Sequence, residues 1–204
     1  PPLPLFTHPH TAERRSELAQ PLMGDGLYRF VTEIAAPLTN LVGDAWMRGE
    51  LRVFEEHMYT EILQGLLLGA ISQAMSTGGS PRVLLTTLPS EHHGLGMLMA
   101  EAVFVLEGAE CVPLGVQTPA GDIVAAALAK NVHVVALSFS ANFPAGPLAD
   151  ALAALRGALP ATIALWCGGA GAGRVKRFPA GVKRLDGLHS IEPAVADWRA
   201  AAEA

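Results

Sequence analysis

The first third of the chain places apolar residues at the three-and-four spacing of one helical face. Over residues 27–46 this spacing predicts an amphipathic helix, bent at Pro37 because proline lacks the amide donor that a helix interior needs. The same period over residues 51–75 predicts a second helix that packs back on the first. A shorter helix is predicted over residues 12–22, with Thr11 as its N-cap. Together these helices predict a small bundle.

A second pattern begins after residues 76–81, whose Ser, Thr, Gly and Pro are typical of a linker. Short apolar runs of strand type then alternate with helix-length segments. This alternation of β and α predicts an open parallel sheet covered by helices on both faces. We therefore expect a helical bundle over residues 1–79, with a flexible arm over 1–10, and an α/β domain over 80–204. The predicted strands are Arg82–Leu88, Glu110–Gly115, His133–Phe139, Thr162–Trp166 and Val182–Leu185, and the predicted helices span about 95–107, 119–130, 145–158, 171–177 and 191–203.

Composition and charge narrow the functional classes. The 204 residues are 50% hydrophobic and 16% charged, with a formal net charge of -5, so the chain can bury a sizeable core. No apolar run reaches the ~18–20 residues that cross a bilayer, and the first residues lack the order of a secretory signal. We expect a cytoplasmic protein without a membrane partner. Because no stripe of Lys and Arg is present, DNA is expected as a partner only through a domain absent from this chain.

The densest polar cluster follows the first predicted strand. Glu91, His92 and His93 lie between that strand and the next helix, where parallel sheets bind their ligands. Imidazole is a good ligand for a transition metal, and a neighbouring carboxylate can fix its tautomer. An isolated Glu-His-His segment is more often a solvated loop, with His92 or Glu91 capping the next helix. The wider context therefore has to decide between these interpretations.

Two other loops share this edge of the predicted sheet. Ser138 and Ser140 end the third strand, and a glycine-rich run that includes Gly168 and Gly169 follows the fourth. Glycine permits the backbone to approach a bulky ligand closely. The run lacks both the GxxxxGK[ST] lysine and the first-strand GxGxxG spacing, so nucleotide binding is a weak interpretation. No Ser-His-Asp set and no pair of pocket carboxylates is evident, so we expect no enzymatic turnover.

Three short motifs resemble the cobalamin-binding signature, in which Asp-x-His-x-x-Gly supplies the lower axial ligand to cobalt. They are Glu91-x-His93-x-x-Gly96, Ser138-x-Ser140 and Gly168-Gly169. The resemblance implies a Rossmann-like, flavodoxin-like domain with His93 as the metal ligand. It also implies that the dimethylbenzimidazole tail of the cofactor enters the sheet edge beside the serines and the glycine pair. Glu91 stands in place of the commoner Asp, and Ser140 where the family often has Leu or Thr.

The helical half carries a further motif. Trp46, nine intervening residues and Glu56-His57 resemble the Trp-x9-Glu-His motif of the CarH/LitR light-sensing repressors, whose cobalamin domain follows a helical bundle in the same order. The resemblance implies that Trp46 shields an adenosyl group above the corrin, where a flat indole is suited to stacking. Glu56 and His57 would hydrogen-bond that group or the ring amides. Periodicity alone would instead make Trp46 a core residue and Glu56-His57 an exposed helix edge.

Met47 departs from the pattern of these repressors. The light sensors have a histidine after the motif tryptophan, which binds cobalt from above once light has cleaved the cobalt–carbon bond. A thioether is a softer and weaker ligand than imidazole for oxidised cobalt. Three outcomes stay open: His57 or another nearby histidine takes this role, water occupies the position, or the protein senses cobalamin or another signal without this step.

The resemblance as a whole implies the sensory half of a light-responsive transcriptional regulator of the MerR family. Adenosylcobalamin is the expected cofactor, although other upper ligands fit the same signature. A change at the upper cobalt position would alter homo-oligomerisation, and so DNA binding by a winged-helix domain expected ahead of Pro1. Two alternatives stay open. One is a corrinoid carrier protein of a methyltransferase system, and the other is a cobalamin photoreceptor with an additional chromophore.

Overall fold

A computed structural model describes residues 11–75 and 77–203 of the chain. It divides the chain into two units between Ala74 and Met75. Each unit is built from one of the two patterns in the sequence, helices first and then alternating strands and helices. The flexible arm predicted over residues 1–10 lies outside the described residues.

The first unit is entirely helical in its regular elements. It contains α1 (Thr11–Arg29), a π-helical segment (Phe30–Ala35), α2 (Ala36–Met47) and α3 (Val53–Ala74). Helix α1 is interrupted at Gly26, whose φ of 82° lies in the left-handed region that glycine adopts without steric penalty. In the described part of the chain, no helix is both long enough and apolar enough to cross a membrane.

The helix is irregular just before Pro37, the residue at which the sequence predicted a bend. Pro37 lies in the first turn of α2, and the backbone has already widened into π-helical turns, in which the N–H of Ala36 donates to the carbonyl of Val31. The hydrogen-bond register therefore changes ahead of the proline, in a wider segment that the sequence did not predict.

The helical unit is held together by apolar side chains on one face of α3. Leu63 and Leu67 are fully buried and four residues apart. This buried face is rotated from the one that the apolar period indicated, on which Phe54 is 53% exposed. Burying one such side chain stabilises the fold by about 2 kcal/mol. A partly buried polar link adds to this packing. The hydroxyls of Thr39 in α2 and Tyr59 in α3 lie 2.8 Å apart, and the hydroxyl of Thr39 donates to the carbonyl of Ala35 at 2.7 Å.

The second unit alternates strands and helices. Its strands are β1 (Arg82–Thr86), β2 (Glu110–Gly115), β3 (Val134–Ser138), β4 (Ala164–Gly168) and β5 (Val182–Arg184), and its helices are α4 (Leu95–Leu106), α5 (Ala120–Ala129), α6 (Ala145–Ala158) and α7 (Ile191–Ala202). All neighbouring strands pair in parallel, in the order β2-β1-β3-β4-β5. The predicted open parallel, flavodoxin-like sheet is thus confirmed.

The strand order fixes where a ligand can bind. Strand β1 is followed in sequence by β2 on one side of it, and the chain then returns to add β3 on the other side. The loops after β1 and β3 therefore leave the sheet edge in opposite directions, and parallel sheets of this kind bind ligands in the crevice between such loops. The polar segments that the sequence analysis singled out after these two strands meet at that crevice.

The connection after β4 differs from the prediction. A single 3₁₀ turn, Ala172–Arg174, replaces the helix expected over residues 171–177, because two glycines in so short a segment disfavour helix nucleation. Strand β4 also begins and ends later than the predicted strand over 162–166. The residues before it form a turn closed by the Ile163 N–H, which donates to the carbonyl of Pro160 at 3.1 Å.

Candidate functional site

The loop between β1 and α4 carries a carboxylate–imidazole pair. Oε1 of Glu91 lies 2.6 Å from Nδ1 of His93 and also accepts the backbone N–H of His93 at 3.0 Å. The loop can fold back in this way because Ser90 adopts a φ of 74° and the N–H of Glu91 donates to the carbonyl of Leu88 at 3.1 Å. The extra methylene of Glu91, compared with an aspartate, does not prevent the hydrogen bond to the imidazole.

Ser140, which follows β3, completes the cluster from the other side of the crevice. Its backbone N–H and its hydroxyl both donate to Oε2 of Glu91, at 2.7 and 2.9 Å. The Oγ of Ser140 also lies 3.1 Å from Nδ1 of His93. The carboxylate of Glu91 therefore joins the ends of β1 and β3, two strands that pair with each other in the sheet.

The electrostatics of Glu91 follow from these contacts. Glu91 is only 1% exposed, whereas the side chain of His93 is 53% exposed. Burial by itself raises the pKa of Glu91, but the hydrogen bonds from His93 and Ser140 outweigh it and lower that pKa to about 2. Glu91 is thus ionised at neutral pH and can only accept hydrogen bonds. The proton of the 2.6 Å contact accordingly belongs to Nδ1, which leaves the lone pair of the neutral imidazole on Nε2.

Neither Glu91 nor His92 caps the helix that follows. Helix α4 begins at Leu95 with Gly94 as its N-cap, and no side chain bonds to its first turn. The interpretation of this segment as a capping loop is therefore wrong. His92 is exposed in the same loop, whereas Glu91, His93 and Ser140 are joined by side-chain hydrogen bonds.

Two of the motif glycines, Gly96 and Gly169, leave no room for a larger side chain at this edge. A Cβ at Gly96 would lie 2.9 Å from Oγ of Ser138, so the first turn of α4 packs tightly on the end of β3. Gly169 has a φ of 91°, and a Cβ there would overlap the carbonyl of Phe139. Gly168 ends β4 and leaves room for an ordinary contact only. Gly169 thus lets the β4 loop pack directly against the backbone of Phe139, next to Ser140.

The tryptophan motif of the helical unit lies where α2 ends and α3 begins. We call residues 46–57 the α2–α3 corner. Trp46 is 43% exposed and Met47 66% exposed, so the interpretation of Trp46 as a core residue is wrong. Glu56 accepts a hydrogen bond from the hydroxyl of Thr60 at 2.8 Å, and its other oxygen lies 3.7 Å from Nε2 of the exposed His57. The corner thus presents an indole, a thioether and an imidazole to its surroundings.

One buried residue near the Glu91–His93 pair, Thr87, was not predicted from the sequence. Thr87 directly follows β1, is fully buried, and donates a hydrogen bond from its hydroxyl to the carbonyl of Glu91 at 2.8 Å. A threonine at the end of an apolar strand was the only signal available in the sequence.

In the described residues, no group of three or more His, Cys, Asp or Glu side chains is placed to hold a metal ion.

Comparison with known proteins gives two independent findings on sequence. Residues 11–68 match the family described as a B12 binding domain. The chain is also 34% identical over 140 residues to the HTH-type transcriptional repressor CarH of Myxococcus xanthus, across 69% of this chain and 46% of that protein. The chain therefore spans about half the length of this curated relative.

Among solved structures, the fold is similar to that of the monomethylamine corrinoid protein of Methanosarcina barkeri. The TM-score is 0.71 at 15% sequence identity, and the alignment covers 92% of each chain. At this level of identity the likeness concerns the fold alone. A helical segment followed by a parallel α/β sheet is the architecture that the two chains share.

Proposed function

Because this chain contains a B12-binding domain and is related to the CarH transcriptional repressor, we propose that it is the cobalamin-binding sensory part of a light-responsive transcriptional regulator. The state of the cofactor changes self-association of the chain, and thereby DNA binding by another part of the protein. The chain itself binds and signals without enzymatic turnover. Residues 1–79 would cap the upper face of the corrin, and residues 80–204 would hold the cofactor from below.

The observation that carries this proposal is the Glu91–His93 pair at the crevice of the sheet. A metal-binding histidine usually donates its second ring N–H to a carboxylate, which fixes the tautomer and makes the ligating nitrogen more basic. The 2.6 Å contact at Nδ1 is of this kind. The donor set therefore fits a cobalt that takes one protein imidazole, with Nε2 of His93 as the ligand.

The remaining proposed contacts divide between the two units. In the sheet unit, the loops after β1, β3 and β4 would hold the lower face and the nucleotide tail. In the helical unit, the α2–α3 corner would cover the upper face, with the exposed indole of Trp46 as its apolar surface. The proposed cofactor-binding residues are Trp46, Met47, Glu56, His57, Glu91, His92, His93, Gly96, Ser138, Ser140, Gly168 and Gly169.

When bound, adenosylcobalamin supplies a cobalt–carbon bond that light can break. The chain responds to this only if its two arrangements bind the two cofactor states with different affinity. An exposed apolar corner can provide that difference, because Trp46 and Met47 would pack against the adenosyl group in one state and lose that contact in the other. A carrier protein has no need of such a shield, and the tryptophan motif therefore favours the sensor.

The test is the assembly state of the chain under light and darkness. We expect light scattering after size exclusion to give different masses for the chain loaded with adenosylcobalamin in darkness and after green light. Hydroxocobalamin-loaded chain is the matched control, since it has no cobalt–carbon bond and its mass should not respond to light. A single monomeric mass under all conditions, with methyl transfer to an added partner, would instead identify a corrinoid carrier.

A further inference from the structure

The hydroxyl of Thr87 joins two loops at the carboxyl edge of the sheet. Thr87 is fully buried directly after β1. Its Oγ–H donates to the carbonyl of Glu91 at 2.8 Å, and its Oγ accepts the backbone N–H of Gln117 at 2.8 Å. The first contact lies in the loop that carries His93, and the second lies in the turn between β2 and α5. Both roles of one hydroxyl group, donor and acceptor, are thus used.

Each of these two loops contains a residue in an unfavourable backbone conformation. Ser90 has a φ of 74° and Gln117 a φ of 61°, both in the left-handed region that residues other than glycine seldom adopt. Such conformations persist only when the surrounding contacts enforce them. The hydroxyl of Thr87 bonds to Gln117 itself and to the residue after Ser90, so it is the contact that both turns share.

The turn after β2 also lies near the residue that follows the histidine. A Cβ built on Gly94 would lie 3.4 Å from Cγ1 of Val116. Gly94 directly follows His93, and Val116 directly precedes Gln117. Thr87 therefore acts on the loop of His93 directly through the carbonyl of Glu91, and it also bonds to the turn that lies near Gly94.

We propose that Thr87 is a positioning residue for His93, and that loss of its hydroxyl loosens the histidine as an axial ligand without removing the ligand itself. This proposal rests on the proposed function, in which His93 binds the cobalt of cobalamin. Residues that orient a metal ligand through hydrogen bonds typically change metal affinity about 10–100-fold when they are replaced. Thr87 would belong to this group although it touches neither the imidazole nor the metal.

The neighbouring Thr86 provides a matched control. It is also fully buried, and its hydroxyl donates to the carbonyl of Gly115 at 2.9 Å and pairs with the hydroxyl of Thr118 at 2.7 Å. Thr86 therefore supports the same turn after β2 and loses comparable hydrogen bonds when it is changed to Val. Its side chain bonds to the carbonyl of Thr87 but to no residue of 88–94.

The experiment uses nitrogen-15-labelled chain loaded with unlabelled cob(II)alamin, for wild type and the variants Thr87→Val, Thr87→Ser and Thr86→Val. Electron paramagnetic resonance reports the fraction of cobalt bound to a protein histidine, because a nitrogen-15 ligand splits each cobalt line in two. Titration of the cofactor gives its affinity. Hydrogen exchange of residues 88–94 in the cofactor-free chain supplies a readout that does not depend on cobalt.

We expect Thr87→Val to weaken cofactor binding at least about tenfold, to lower the histidine-bound fraction and to speed exchange in residues 88–94. Thr87→Ser should keep the affinity, the histidine-bound fraction and the exchange rate near their wild-type values, since it keeps the hydroxyl. Thr86→Val should lower the melting temperature while keeping the histidine-bound fraction. The proposal is overturned if Thr87→Val and Thr86→Val change the spectrum and the exchange equally. If Thr87→Val does not fold, Thr87→Ala is compared with Thr87→Ser instead. The same three quantities are measured: cofactor affinity, histidine-bound fraction and exchange in residues 88–94.

The variant His93→Ala distinguishes a failure of the Thr87 proposal from a failure of the proposed function on which it rests. If His93→Ala abolishes the two-line splitting while Thr87→Val leaves it at the wild-type level, Thr87 does not position the ligand but the proposed function stands. If the splitting is absent in the wild type, the assignment of His93 itself is wrong. Exchange in residues 88–94 still reports on the role of Thr87 in holding the loop in that case.

Discussion

At the scale of single residues, the polar cluster at the crevice is built around one buried carboxylate. The sequence made Glu91 a candidate partner for the imidazole of His93, because two residues of one short loop can meet without help from the fold. It did not predict that Ser140 would donate twice to the same carboxylate. That contact spans 49 positions and exists only because β1 and β3 are neighbours in the sheet.

Glu101 is a second buried carboxylate with the opposite character. It lies in the middle of α4 and is 3% exposed, and among the residues that the structure describes its Oε2 has no hydrogen-bond partner. Burial raises its pKa. The folded state therefore holds this proton more tightly than the unfolded chain does, and stability falls as the pH rises through the pKa of the folded state.

We predict that Glu101→Met stabilises the chain at neutral pH by about 1–3 kcal/mol, the usual penalty of an unsatisfied buried polar group. The gain should shrink near the ordinary pKa of a carboxyl group, where Glu101 is protonated in the native state. Urea unfolding at several pH values measures it, and Glu61→Met, at an exposed position of α3, is the control. A gain that does not vary with pH would contradict the assignment.

At the scale of elements, the sequence predicted most helices and strands within a few residues, and the exceptions have local causes. The strands match the apolar pattern because their burial is strong and continuous, whereas the buried face of α3 is rotated from the one that the pattern indicated. The helix expected over 171–177 failed because its apolar spacing could not compensate for two glycines. The change to π-helical turns before Pro37 has no signature in the apolar pattern, since the buried face simply continues through it.

The β4 loop yields a prediction about stability. Gly169→Ala should destabilise the chain by about 2–4 kcal/mol, because it combines a φ of 91° with a clash against the backbone of Phe139. Gly173→Ala is the matched control, as a Cβ at Gly173 meets nothing within 4 Å. Thermal unfolding of the two variants measures the difference. Equal melting temperatures would mean that the loop does not pack on the Ser140 segment as described.

At the scale of the whole molecule, the sequence predicted the order of the two units and the parallel sheet, because apolar periodicity changes from helix type to strand type along the chain. The strand order β2-β1-β3-β4-β5 could not be read from that pattern, yet it decides which loops meet at the crevice. The proposed mechanism needs both units, since the lower ligand lies in one and the tryptophan motif in the other.

The exposed Met47 gives a prediction at this scale. If the α2–α3 corner covers the upper face of the corrin, Met47→His should shift the illuminated state toward a spectrum with two imidazole ligands and slow its return in darkness, because imidazole binds oxidised cobalt better than a thioether. Absorption spectroscopy with adenosylcobalamin measures both effects. Met23→His, at an exposed methionine of α1, should leave them unchanged. An unaltered photoproduct in Met47→His would show that this corner does not face the cobalt.

The central claim is that one imidazole of the chain, His93, binds cobalt from below. The most direct measurement is the paramagnetic resonance spectrum of unlabelled cob(II)alamin bound to nitrogen-15-labelled chain. Ligation by a protein histidine predicts two lines at each cobalt position, whereas the unlabelled benzimidazole of the cofactor gives three. We predict two lines for the wild type and for His92→Ala, and their loss in His93→Ala. Three lines in the wild type, or two lines that persist in His93→Ala, would contradict the account.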